Sequence, residues 1–258
     1  MDKITSTAYF DVQSKIGVTK HVGGAGATDR LMELCDIGPD SYILEVGCGA
    51  GLATTYIAKR YGCRIMAIDI RKEMVEQAKA TAKRRGVEDR IEFRVANAEH
   101  LPFKDNTFDA VITESVTAFT DKNKSIKEYK RVAKKGGYVG LNELTWVGET
   151  SEEIKDYFYR ATGGVKPCDE NRWTSHIKKA GLTDIIADSW KVKASRQSLM
   201  EMRLIGFGNL FRIMGRTIKY MFTDKKFRQE IKELTKITKD MPKGLMKTFG
   251  YGVYVGRK

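Results

Sequence analysis

Cysteine is scarce and scattered. Cys35, Cys48, Cys63 and Cys168 are the only four in 258 residues, and no two form a C-x-x-C pair. That excludes the ligand spacing of a structural zinc site and the framework of a disulfide-stapled domain. The four read as reduced thiols that serve packing, and no metal site is expected. No stretch of about eighteen uninterrupted apolar residues occurs, which removes a membrane-spanning helix. The opening residues MDKITSTAYFDVQ lack the apolar segment of a secretory signal, so a cytoplasmic protein is expected. Internal repeats and low-complexity linkers are missing too, which excludes repeat arrays.

What is present is a chain that is 41% hydrophobic and 31% charged, long enough to bury a sizeable core as one α/β unit. Its net charge of +13 is unevenly placed. Lys191 to Lys258 holds 17 lysines and arginines against five acids, and the preceding residues are nearly neutral. Such a segment suits nucleic acid, anionic lipid or an acidic substrate, or is simply a solvated helical surface.

From Tyr42 onward, short β-rich runs alternate with amphipathic runs of helix length, the pattern of a parallel sheet covered by helices on both faces. The candidate strands are Tyr42–Val46, Arg64–Asp69, Ile91–Val95, Phe108–Thr113, Tyr138–Asn142 and Ile185–Trp190, and the closing run YGVYVGRK supplies a seventh. Helices are predicted at Ala27–Asp36, Leu52–Tyr61, Glu73–Arg84, Ser125–Ala133 and Asp169–Ala180. Before the last strand lies a stretch of different character. There Phe207, Leu210, Phe211, Met214, Ile218 and Met221 recur at helical spacing among Arg212, Arg216 and Lys219, and a second helix follows from about Asp224 to Lys239. The division expected is an N-terminal segment over residues 1–26, a core over 27–190, a basic helical insertion over 191–248 and a last strand over 249–258.

The strongest chemical signal is Tyr42-Ile-Leu-Glu45-Val-Gly47-Cys48-Gly49-Ala50-Gly51, an apolar strand that runs into three alternating glycines and then a helix. Glycines are needed where backbone turns sharply and approaches a ligand with no Cβ in the way. The spacing is G-x-G-x-G, with Leu52 where a dinucleotide site wants a small residue beneath the pyrophosphate. Glu45, an acid beside the loop, suits a cationic ligand better than a phosphate. The second signal is Asp69, at the end of the second candidate strand and eighteen residues after Gly51. A carboxylate there can accept both hydroxyl hydrogens of a ribose; taken alone, it could equally cap the next helix.

Together these motifs resemble the class I S-adenosylmethionine-dependent methyltransferases of the small-molecule type, over roughly Thr28 to Trp190. The resemblance implies a Rossmann-like, seven-stranded, mostly parallel sheet and S-adenosyl-L-methionine as the donor, leaving as S-adenosyl-L-homocysteine. It places Glu45, Gly47, Cys48, Gly49 and Gly51 in the donor loop, Asp69 at the ribose, and Ile70, Asn97 and Ala98 around the adenine. Asn97 stands where Asp is commoner in the family. Glu114, with Ser115, falls at the fourth strand's end beside the methionine part of the donor, and Asn142 with Glu143 at the equivalent end of the fifth. These four and His21 are the acceptor-side candidates, His21 because it lies in Lys20-His21-Val22-Gly23-Gly24, a Gly-rich segment of the kind that similar enzymes fold over the donor.

Methyl transfer of this kind is an in-line displacement on an activated sulfonium, so alignment and exclusion of water carry much of it. A general base is required only when the nucleophile must lose a proton. The end of the fourth strand, Thr113-Glu114-Ser115-Val116, lacks the Asn/Asp-Pro-Pro-aromatic arrangement of methylases that act on nucleobase amines or glutamine amides. A small organic acceptor is therefore preferred, with a quinone-like or isoprenoid compound favoured. Six of the ten methionines fall in the insertion, which reads as an adaptable apolar lid with phenylalanines 207, 211 and 222. Basic residues on its other face would meet an anionic membrane, and nucleic acid is the lesser partner. The alternatives are an RNA or protein methylase docking through the basic segment, and a donor-binding protein without turnover.

Overall fold

The structure is a computed structural model; it describes residues 8, 11–19, 21–162, 164–192 and 194–258. Lys20 and most of residues 1–10 of the expected N-terminal segment, like the Phe207 side chain, lie outside the described residues. The elements are α1 (Gly24–Leu34), β1 (Tyr42–Val46), α2 (Leu52–Tyr61), β2 (Arg64–Asp69), α3 (Lys72–Arg85), β3 (Ile91–Val95), β4 (Phe108–Glu114), α4 (Lys122–Val132), β5 (Ala133–Trp146), α5 (Glu152–Ala161), β6 (Cys168–Asp169), α6 (Glu170–Lys179) and β7 (Thr183–Lys191). Then come α7 (Ala194–Ile205), α8 (Phe207–Thr223), α9 (Lys225–Lys239), α10 (Leu245–Thr248) and β8 (Phe249–Arg257).

The strands form one sheet in the order β3-β2-β1-β4-β5-β8-β7. β1 to β5 are parallel, and β8 runs antiparallel between β5 and β7. The central strands are buried on both faces, so they read as continuous apolar runs. Alternate residues supply two separate cores. Ile43, Ala110, Ile112 and Val253 meet Leu31, Ile57 and Ala78 of α1 to α3 on one face. Leu44, Val111 and Tyr254 meet Ile126, Tyr129 and Trp173 of α4 and α6 on the other. The helix ends are written in the sequence: Gly62 and Gly86 close α2 and α3 in the left-handed region after basic last turns, and Asp121 and Asp169 cap α4 and α6.

All seven expected strands are present. An eighth, β6, is two residues pairing with the far end of β5. β5 outruns its expected span because β8 pairs with it from Tyr138 to Trp146. α5 lies in a stretch where no element was expected, and within the basic helical insertion α7 and the short α10 lie outside its two expected helices.

On α8 the periodic face is exposed: Phe211, Met214, Ile218, Met221 and Phe222 reach solvent, Phe222 by 83%, and the insertion packs inward through Leu204, Ile205 and Phe227. No helix among the described residues is long and apolar enough to cross a membrane.

Candidate active site

The strand order reverses between β1 and β4, since the chain goes from β1 outward to β3 and then crosses back. That reversal opens a crevice beyond the carboxyl ends of β1 and β4, where ligands of such sheets bind. The glycine loop leaves β1 into this crevice. Gly47 and Cys48 N–H both donate to Ile68 O, at 2.7 and 2.9 Å, which fastens the loop to β2. Gly51 has φ +79° at the mouth of α2, and a Cβ there would lie 2.9 Å from the Ala78 Cα of α3. Backbone cannot yield as a side-chain tip can. Gly51→Ala is therefore expected to lower the unfolding free energy by about 2–3 kcal/mol, from left-handed strain and the contact together. Urea denaturation measures this, and an unchanged midpoint would refute the stated role of Gly51.

Asp69, at the carboxyl end of β2, accepts Gly49 N–H at 3.0 Å and Arg71 N–H at 2.9 Å. It is not the cap of the following helix, whose N-cap is Arg71. Burial raises its carboxyl above the ordinary carboxylate value. Ile70 beside it is 67% exposed and Val95, at the end of β3, is 47% exposed. The Asn97 carboxamide oxygen accepts Glu99 N–H at 2.9 Å, and Ala98 packs into the core.

Glu45, Glu114 and Asn142 share one sheet face, because Glu45 pairs with Ile112 and Glu114 with Asn142 in register. That face looks toward α1 and the N-terminal segment. His21 Nδ1 lies 2.9 Å from Glu114 Oε2. Thr28 Oγ1 donates to Glu114 at 3.1 Å, and Asn142 Nδ2 donates to Glu114 Oε2 and to Val22 O, both at 3.0 Å. Asn142 Nδ2 also lies 3.1 Å from His21 Nδ1, but its two hydrogens are directed at Glu114 Oε2 and Val22 O, so Nδ1 is left to donate its proton to the Glu114 carboxylate and Nε2 is the free nitrogen. Burial works against a charged His21, yet Glu114 outweighs it and raises the imidazole above its ordinary 6.5. Glu45 is fully buried; burial, with Glu114 adding to it, pushes its carboxyl up to about 8. His21 Nε2, Glu45 Oε2 and Asn142 Oδ1 are buried with no hydrogen-bond partner, so a polar ligand placed here has three groups to satisfy.

Glu143 lies on the opposite sheet face, apart from this cluster. It accepts the N–H groups of Val116, Thr117 and Ala118 and so shapes the turn after β4. In that turn Ser115 has φ +58°, and its Oγ accepts Val22 N–H at 3.4 Å. Burial pushes Glu143 up to about 7 from 4.5. Between those values the folded protein holds a proton that the unfolded chain does not, so this group's contribution to stability falls as pH rises from about 4.5 to 7. Glu143→Gln removes that slope: its melting temperature relative to the wild type is expected to climb across the interval, and a constant difference would contradict it.

Sequence reasoning missed three residues that complete the site: Thr19, whose Oγ1 accepts Ala50 N–H at 3.2 Å, Thr28, and Gln197 of α7, whose Oε1 accepts Gly23 N–H at 2.9 Å. Gln197 lies 174 residues from Gly23, and no local signal marks such pairs. His100 is exposed, and His176 Nδ1 meets Asn123 Oδ1 at 3.0 Å. Trp173 is a buried core residue, and its Nε1–H donates to Leu144 O.

A methyltransferase-domain family model matches residues 44–141, from β1 to β5. An uncharacterized protein of Haemophilus influenzae is 30% identical over 177 residues, covering 67% of this chain and 70% of that protein. Norajmaline N-methyltransferase of Rauvolfia serpentina is 41% identical over 131 residues, 46% of this chain and 45% of that enzyme, so the match spans less than half of it. Among solved structures, the [4+2]-cyclase SpnF superposes with a TM-score of 0.73 at 20% identity, over 99% of this chain and 94% of that one; at that identity it speaks for the fold alone. With the glycine loop, the acid ending β2 and the strand order on the same chain as that domain match, this protein belongs to the class I S-adenosylmethionine-dependent methyltransferases.

Proposed function

We propose that this protein transfers a methyl group from S-adenosylmethionine to a hydroxyl of a small, lipophilic organic molecule. The observation that carries the reading is the buried His21–Glu114 pair with Nε2 unpartnered at the carboxyl end of β4. The residues around the loop fit the donor. Glu45 is a buried carboxyl with a free oxygen beside a second acid, which suits a ligand carrying an ammonium and a sulfonium. Asp69 suits its ribose, and the exposed Ile70 and Val95 offer an apolar platform for its adenine. Bound there, S-adenosylmethionine supplies a methyl group already activated for displacement.

The chain's own residues then have two tasks. The glycine loop and Asp69 fix the donor's position, and Thr19, whose Oγ1 accepts Ala50 N–H, lies over the loop and helps shield it from water. His21 Nε2 takes the proton that an acceptor hydroxyl loses as its oxygen is methylated, while Glu114 holds Nδ1–H and stabilises the imidazolium.

A second reading, an amine acceptor, is favoured by the Rauvolfia relative, which is named for N-methylation. SpnF, with the same fold, is named as a cyclase, so the fold by itself leaves the reaction open. We assign the basic C-terminal layer to an anionic membrane surface rather than to nucleic acid.

The test is transfer of radiolabelled methyl from S-adenosylmethionine into a cell extract, partitioned into organic, aqueous small-molecule and macromolecular fractions. Base-stable, ether-linked label in the organic fraction is expected. Label in RNA or protein would overturn the acceptor class, and no label with intact donor binding would leave a non-catalytic donor-binding protein.

A further inference from the structure

Away from the crevice, a groove of about 700 Å³ opens between α2, α3 and the hinge from α7 to α8. Its lining includes Lys59, Arg60, Arg84, Arg85, Arg203 and Arg212 and no carboxylate. Arg85 forms the floor: it donates to Leu52 O and Thr55 Oγ1 of α2 and to Leu204 O and Ile205 O at the end of α7. Arg60 faces Asp29 at 3.0 Å outside the lining set. Burial lowers Arg84 below the ordinary guanidinium value, and Arg212 and Arg216 nearby add to the shift, as expected where cations crowd one another. A site of this composition attracts phosphate, and planar guanidinium forks bind it through paired N–H groups.

The neighbouring surface decides which phosphate. Along α8, Phe211, Met214, Ile218, Met221 and Phe222 form one exposed apolar stripe, and at 100° per residue Arg212 and Lys219 flank it on the side of the groove. This is the layout of a helix lying in a membrane interface, with its apolar face in the acyl boundary and cations at headgroup level. RNA offers no apolar counterpart to five exposed large side chains. A second copy of the chain would bring a segment of net charge +12 against itself, a repulsive match for a two-fold interface.

We propose that the groove binds the phosphate of an anionic phospholipid while the α8 stripe rests in the acyl layer beside it. This deepens the membrane reading given above and names its headgroup site.

The experiment is cosedimentation of the full chain with phosphatidylcholine vesicles, with and without phosphatidylglycerol, and calorimetry with inorganic pyrophosphate in parallel. Binding to the phosphatidylglycerol-containing vesicles but not to pure phosphatidylcholine is expected, together with binding of pyrophosphate. Arg84→Gln with Arg212→Gln should weaken it roughly 30-fold, the loss of two interfacial cations. Phe211→Ser with Phe222→Ser should abolish it and leave pyrophosphate binding unchanged, which also shows that the variant is folded. Pyrophosphate binding without vesicle binding would overturn the proposal in favour of a soluble phosphate ligand. Vesicle binding that survives the arginine changes would remove the groove and keep the membrane reading. A dimer that the phenylalanine changes dissociate would make the stripe an interface between copies. Methyl transfer is not the readout, so failure here and failure of the acceptor assignment remain separate.

Discussion

His21→Ala is expected to lower kcat for methyl transfer by 10²- to 10⁴-fold, the usual worth of a positioned general base, with donor affinity unchanged within a few-fold. His21 is buried and its Nδ1 is held by Glu114, so its Nε2 has one orientation. The pH profile is the sharper readout. Only the neutral imidazole accepts a proton, and Glu114 raises the His21 value above 6.5. Rate should therefore climb with pH through an ionisation above 6.5, and His21→Ala should flatten it. Glu114→Gln keeps an acceptor for Nδ1–H but removes the charge, so the same limb should shift toward acid. Full turnover in His21→Ala would dismiss the base and favour the amine acceptor, whose lone pair is available without one.

Asp69→Ala is expected to weaken binding of S-adenosylhomocysteine by about 10²-fold or more. A carboxylate receiving two ribose hydroxyls loses two charge-assisted hydrogen bonds, at roughly 1.5–3 kcal/mol each. It also releases Gly49 N–H, which now donates to Asp69 at 3.0 Å, and so loosens the loop itself. Asp69→Asn, which keeps one acceptor oxygen, should fall between the two. Calorimetric titration decides the matter: a dissociation constant within threefold of the wild type would show that Asp69 is a turn residue tying Gly49 to Arg71 and nothing more.

The parts of the fold that were legible are those governed by neighbours in the chain. β1, β2, β3 and α2 fall on their predicted bounds, because local signals mark them: β1 runs into Gly47, β2 ends on Asp69, α2 ends at Gly62, and β3 alternates Ile91, Phe93 and Val95 with charged residues. α5 escaped notice because its core contacts are few; Ile154 and Phe158 are its buried residues. α7 and α8 are separated at Gly206, where φ is +70°, a break that blurred the helical periodicity on both sides. β6 exists only through pairing with β5, and a two-residue strand carries no periodicity at all.

The sequence by itself determined the glycine loop, Glu45, Asp69, Glu114 and Asn142 as residues at strand ends, since strand, turn and helix signals act over a few positions and place such residues at one edge of a parallel sheet. Tertiary structure alone decided that His21 and Thr28 reach Glu114, that Glu143 turns to the other face, that Gln197 holds the N-terminal segment, and that the apolar stripe of α8 looks outward. Those outcomes depend on register, since one residue along a strand reverses the face, and on packing between segments far apart in the chain, where local propensity carries no information.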